Sequence, residues 1–438
     1  MAVYASARSR QVANDICFVL EELLMTSSFQ VRTCAVQMRV ALAACVALCF
    51  IANRGMSQTT EAGGWRKTQI DPRFRSEGVA VADVDRDGDV DVLVGELWYE
   101  APDWQAHEVA PVGDYGDGAN SYSQAFVCFA DDVNQDDWPD LIVIGFPGEA
   151  CHWYENPRGV ERHWPRHMIC TSACNESPAY VDLCGTGRKG LLMGWRPDGS
   201  ETSGQMVWFQ PQGDPHLPWT MTPVSAPGVA GAPVPGTNRF SHGLGAGDMN
   251  GDDRLDVVCT DGWWEQPESL DGSPWPFHPA SLGPDCAQMY VAELTGDGLP
   301  DVVSSSAHAY GIWRHAARDS AGEERSFELQ TLFPKLMSET HGLAYVDVDN
   351  DGVKDLVTGK RWWAHGPTGD PGATEPAMLY WFKASRAEDG ATTFEPYVID
   401  DDSGVGLHLV VEDVTGDGFR DVVVSNKKGV FLIEQTRR

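Results

Sequence analysis

The chain has 438 residues, 42% of them hydrophobic and 16 of them Trp, with a formal net charge of −32. That much apolar material excludes global disorder, and the charge excludes nucleic acid and anionic membrane surfaces as partners. Past residue 52 no apolar run is long enough to span a bilayer.

Residues 40–52 form an apolar run preceded by Arg32 and Arg39, too short for a membrane span and suited to the core of a signal peptide. We therefore read 1–57 as a leader region, with Met38 or Met25 as alternative starts. The expected product is exported, periplasmic or extracellular. Leu42-Ala43-Ala44-Cys45 resembles a lipoprotein box, but only five residues separate Arg39 from Cys45, so lipid anchoring is the weaker reading. Seven cysteines follow the leader; an odd number allows up to three disulfides, with a pairing that spacing does not reveal. The first predicted strand of the folded region is GWRKTQID (64–71).

Seven acidic windows come next: DVDRDGDVD (83–91), DVNQDDWPD (132–140), DLCGTGRKG (182–190), DMNGDDRLD (248–256), ELTGDGLPD (293–301), DVDNDGVKD (347–355) and DVTGDGFRD (413–421). In six of them oxygen-bearing side chains recur at positions 1, 3, 5 and 9. Position 1 is Asp83, Asp132, Asp248, Glu293, Asp347 or Asp413, and position 3 is Asp85, Asn134, Asn250, Thr295, Asp349 or Thr415. Position 5 is Asp87, Asp136, Asp252, Asp297, Asp351 or Asp417, and position 9 is Asp91, Asp140, Asp256, Asp301, Asp355 or Asp421. Hard cations take six to eight oxygens, so this pattern predicts one calcium ion per intact window, about six in all. The window at 182–190 has Cys184, Thr186 and Gly190 at three of the ligand positions and is expected to be empty. An EF-hand is excluded because no Glu stands at position 12.

Each window is followed by an apolar strand, an aromatic strand such as Trp98-Tyr99-Glu100 or Tyr380-Trp381-Phe382, and an outer strand-like stretch. Four short strands repeating every 45–66 residues are the signature of a propeller blade. The last unit stops after its third strand, and the missing outer strand stands at the other end of the chain, as 64–71. The expected architecture is all-β: a single seven-bladed β-propeller of four-stranded blades over 64–435, its ring closed by an N-terminal strand. The six near-complete DxDxDGxxD-type windows resemble the FG-GAP/VCBS repeats, whose best known relatives are integrin α-subunit propellers. The resemblance implies calcium loops joining the first and second strands of each blade, without implying one function.

On the face opposite the loops, two sets of positions should converge: residues five or six before each window, and those just after each second strand. They yield His242, His308, His341 and Tyr310 as candidates for proton transfer, with Glu77, Lys360, Arg361, Trp263, Asp261 and Lys427 for substrate binding. A cationic, His- and Trp-bearing funnel suits sugar chemistry, in which aromatic faces stack on rings and Arg or Lys holds a carboxylate or keto oxygen. Proton abstraction of the lyase or dehydratase type is one reading. The alternative is a non-catalytic extracellular binding, adhesion or scaffold module. The His cluster offers a transition metal a place, though no HExxH spacing supports one. The expected partner is a carbohydrate or an extracellular protein, and the expected state a monomer. The Pro- and Gly-rich insertions at 194–242 and 364–378 are lids or plain surface loops.

Overall fold

The computed structural model describes residues 58–62, 64–197, 200, 202–319 and 325–436. The leader region lies outside the described residues. Seven antiparallel sheets follow one another along the chain, each running from a first, inner strand to a fourth, outer one. Blade one is Ala80–Ala82, Asp91–Leu93, Leu97–Glu100 and Gln105–Glu108. Blades two to six repeat the pattern, their first strands being Val127–Asp131, Ala173–Val181, Leu244–Gly247, Tyr290–Ala292 and Leu343–Val346.

Blade seven closes the ring. Its strands Leu409–Glu412, Asp421–Asn426 and Gly429–Gln435 come from the C-terminal end, and Trp65–Asp71 pairs antiparallel with Gly429–Gln435 as the fourth. A strand not foreseen, Gln58–Ala62, forms a hairpin with Trp65–Asp71 and gives this blade a fifth strand. First strands of successive blades touch one another and the last touches the first, so they ring the axis.

The second strands are apolar because blades bury both faces. Asp140–Ile144 is buried throughout, and the aromatic residues Trp153, Trp208 and Trp381 of the third strands are wholly enclosed between neighbouring blades. The core is thus a set of inter-blade clusters, such as Ile142, Trp153, Leu191 and Phe209 between blades two and three.

All seven windows form the turn between first and second strands, and one backbone shape serves them all. Residues four and six are left-handed in each, including Arg86, Gln135, Asp137, Asp253 and Asn350, which are not glycine. In six windows the N–H of residue six donates to the carboxylate of residue one, as Gly352 does to Asp347 at 2.8 Å. The degenerate window keeps this turn through Asp182, which explains how it holds register without its other acids.

Candidate functional site

The sixth residue before each window places a side chain at the axis, on the face away from the acidic turns. Round the ring these are Glu77, Phe126, Glu176, His242, Ala287, His341 and Leu407. The stretches after the second strands add His308 in blade five, Arg361 in blade six and Lys427 in blade seven. Residues hundreds of positions apart thereby meet in one cluster.

Three histidines are packed ring to ring. The centroids of His242 and His308 lie 4.6 Å apart, those of His242 and His341 4.9 Å, and those of His308 and His341 5.6 Å. Their Nε2 atoms face inward: His242 and His308 are 3.1 Å apart there. Glu176 points an oxygen at the group, 3.6 Å from Nε2 of both His242 and His341. Arg361 pairs with Glu77 and stands 3.7 Å from Glu176. Lys427 Nζ lies 3.8 Å from Glu77, 4.2 Å from the Tyr122 ring centroid, and donates to the Trp363 carbonyl.

Burial dominates the electrostatics. It pushes His308 down to about 4, with His242 and Arg361 adding repulsion, and drives His341 well below the ordinary imidazole range. Neutral imidazoles this weakly basic are poor proton acceptors near pH 7, which weakens the case for His308 and His341 as general bases. Burial also lowers Lys427, to about 8. Burial alone would raise Glu176, but His242 and then Arg361 outweigh it and hold the carboxyl below its usual value.

The cluster floors a cavity of about 210 Å³ lined by Glu176, His308, Arg361 and His365, with Tyr122, Phe126, Phe146 and Phe240 as an aromatic wall. Both predicted insertions build this wall: 194–242 supplies Phe240, and 364–378 supplies Ala364 and His365, the latter stacked on His308 at 4.7 Å. His242 also borders a groove of about 910 Å³ on the side of blades four and five.

Of the predicted site residues, the structure brings together Glu77, His242, His308, His341, Arg361 and Lys427. It does not bring in the other four. The Lys360 ammonium is fully buried and bonded to Glu339 and to Ser338 at 3.1 Å, because consecutive residues leaving a strand point opposite ways. Tyr310 donates to Glu375 at 2.6 Å. Trp263 stacks on His278 at 4.2 Å within blade four, and Asp261 accepts from Thr260 and faces the larger groove. His408, five residues before its window, bonds the Val79 carbonyl at 3.2 Å as a core histidine. Glu176 was the residue overlooked. It stands at the same offset as Glu77, His242 and His341, but ahead of the window that keeps only Asp182 of its acids.

The ninth residue of the intact windows is a second conserved construction within the chain. Each of these six aspartates is fully buried. One oxygen accepts the N–H of residue two, as in Val84 to Asp91 at 2.8 Å, and the other accepts an N–H just past or near the end of the third strand, as in Ala101 to Asp91 at 2.8 Å. Burial, reinforced by Asp85 and Asp87, still pushes Asp91 up to about 7, and burial with Asp136 does the same to Asp140. Ligand atoms of Asp83, Asp85 and Asp91 lie within 4.8 Å of one another, as do those of Asp347, Asp349 and Asp351. Asp83 Oδ1, Asp349 Oδ1 and Thr295 Oγ1 are buried without a hydrogen-bond partner.

No protein-family profile matches the chain, and no curated protein matches it. Among solved structures, YCF48 from Cyanidioschyzon merolae is 12% identical, with 85% of this chain and 98% of that one covered at a TM-score of 0.45. BBS1N in complex with ARL6DN is 11% identical, with 88% and 98% covered at a TM-score of 0.44. At that level of similarity neither bears on what this chain does.

Proposed function

We propose that the protein is an exported, calcium-braced propeller of the FG-GAP/VCBS type whose axial pocket binds a small polyhydroxylated ligand of the carbohydrate class. The observation that carries the reading is the convergence of Glu77, Glu176, His308, Arg361 and Lys427 from five blades beside an aromatic wall. No blade needs these groups for packing. Tyr122 and Phe240 supply faces for a ring, and Arg361, which lines the cavity, supplies donors for a carboxylate or keto oxygen. A cavity of about 210 Å³ is smaller than the ~300–1,000 Å³ of drug-sized sites, which restricts the bound moiety to one ring or its equivalent.

Calcium in the intact windows fits the buried, unpartnered oxygens of Asp83, Asp349 and Thr295 and the elevated Asp91 and Asp140 carboxyls. There the side chains of positions 1, 3, 5 and 9 would hold the ion, and its charge would offset theirs. Binding, rather than lyase chemistry, is favoured because the imidazoles nearest the cavity are weak bases. A panel of neutral sugars, uronates and keto-sugars titrated by calorimetry tests this. The expected result is saturable binding to at least one of them, weakened at least tenfold by Phe240→Ala, whose ring is half exposed and dispensable to the core. No binding across the panel would leave the scaffold reading in its place.

A further inference from the structure

His341 is wholly enclosed, yet neither of its ring nitrogens has a hydrogen-bond partner. Buried polar groups are almost always satisfied, so such a side chain needs an explanation. The chain's other core histidines show the ordinary arrangement: His408 bonds the Val79 carbonyl, and His315 bonds the Ser304 hydroxyl at 3.0 Å. His341 instead directs Nε2 toward Glu176 at 3.6 Å, too long for a hydrogen bond.

We propose that His242, His308, His341 and Glu176 form a transition-metal site on the propeller axis, suited to Zn²⁺. One nitrogen from each histidine lies within 4.8 Å of the others. Two donors bound to one ion at about 2.0–2.1 Å stand about 2.9 Å apart at a right angle and about 3.4 Å apart at the tetrahedral angle. The spacings here are 3.1 Å between His242 and His308, and 3.6 Å from Glu176 to both His242 and His341. These three spacings approach the edges of a coordination polyhedron; the three imidazoles form its compact part, and Glu176 stands at its margin, nearest His242 and His341. Three imidazoles and one carboxylate make a borderline-soft donor set, unlike the all-oxygen windows on the opposite face, so the two kinds of site select different ions.

The surroundings hold the ligands in place. His308 Nδ1 stands 3.6 Å from Asp370, while its ring stacks on His365, whose own Nδ1 is 3.0 Å from the same carboxylate. The stack on His365, rather than a hydrogen bond to Asp370, fixes the orientation of the His308 ring, since His308 Nδ1 has no hydrogen-bond partner. Arg361 steadies Glu176 from the other side. His308 and Glu176 also line the axial cavity, so an ion there would present an open coordination position to whatever occupies it. A second His-carboxylate group, Glu155, His167 and His216, carries no such argument. Both of its histidines are already bonded to Glu155, and the pairing of His with Glu and Trp recurs in blades one and four as plain packing.

The metal site does not depend on the ligand class proposed above. Zn²⁺ titrated into the full protein in millimolar Ca²⁺, against a zinc indicator, should show one tight equivalent, and Co²⁺ in its place should give visible d–d bands. His341→Ala and His242→Ala should each weaken Zn²⁺ by at least 100-fold. His308→Ala, at a partly exposed position, should do the same without disturbing the core, and His408→Ala and His216→Ala should leave affinity unchanged in folded protein. Absence of a tight equivalent in the wild type overturns the site. So does unchanged affinity in His308→Ala with its native circular dichroism. Sugar binding by a protein that takes up no zinc would sink this inference alone, and zinc binding by a protein that takes up no sugar would sink only the reading of the pocket.

Discussion

The ninth aspartate of a window joins two segments that the chain separates by a variable length. Asp256 accepts N–H groups from Met249 and Gln266, both at 2.8 Å, and Asp140 does the same with Val133 and Asn156. An amide in place of the carboxylate turns one of two acceptors into a donor facing another donor. We expect Asp256→Asn to cost about 1–3 kcal/mol, the range for an orphaned buried donor, measured by urea unfolding in excess chelator so that no metal contributes. Equal stability of variant and wild type would show the bridge to be incidental. Blade three has no such bridge. A Cβ on Gly190 would meet the Phe209 carbonyl at 2.5 Å and the Trp208 indole nitrogen at 2.6 Å, so restoring an Asp there should destabilise rather than repair. The sequence displays the ninth carboxylate plainly, because it recurs. Its second partner is hidden, since any residue supplies an N–H and the interval runs from ten residues at Ala101 to twenty-nine at Ala384. Lys360 and Arg361 show the same limit: adjacent in sequence and alike in charge, they are sent by backbone alternation to different carboxylates, Glu339 and Glu77.

Among the elements, the N-terminal strand carries the most consequence. Trp65–Asp71 supplies the last ladder of blade seven, its Trp65 packs edge-on against Trp381 of blade six at 6.5 Å, and the Asp71 carboxylate gathers Arg73, Arg75 and the Tyr99 hydroxyl. Removing it would bare the edge of Gly429–Gln435 and unseat blade one from blade seven. A chain beginning at residue 72 should therefore elute as aggregate or oligomer in size-exclusion chromatography. One beginning at residue 64 loses only the outermost Gln58–Ala62 hairpin arm and should stay monomeric. Monomeric behaviour of the shorter chain would mean the ring is held by its other interfaces. Strand identity and ring closure are readable because continuous apolar runs, aromatic strands and turn chemistry are local signals that repeat, and because the strand count at the two ends is complementary. The walls of the pocket are not. Within 194–242 the strands Gln205–Gln210 and Thr220–Pro223 belong to blade three; the loop at 226–241 and the insertion at 364–378 carry no periodicity, and their places against Phe146 and His308 are set by contacts across blades.

For the molecule as a whole, the question is how an acidic ring tolerates its own charge. The six intact windows hold 23 of the 64 acidic residues, and they stand on one face of the ring. Basic side chains meet some of them: Arg158 reaches Asp136, Arg254 reaches Asp252, Arg386 reaches Glu293, and Lys383 reaches both Asp349 and Asp351. These ion pairs are partly exposed, and such pairs contribute at most about 1 kcal/mol each. A bound ion at a hundred times its dissociation constant contributes about 2.7 kcal/mol per site, so calcium would dominate the balance where it binds. Lys383 separates the two regimes, because it occupies the space of blade six where an ion would sit. In excess chelator, Lys383→Gln removes the one cation paired with Asp349 and Asp351 among the described residues, and the melting temperature should fall. In millimolar calcium the same substitution removes a competitor for those oxygens, and the melting temperature should hold or rise. A reversal of sign between the two buffers is expected only if the loop takes an ion. An equal fall in both would show that blade six relies on its lysine, and the calcium reading of that window would go with it.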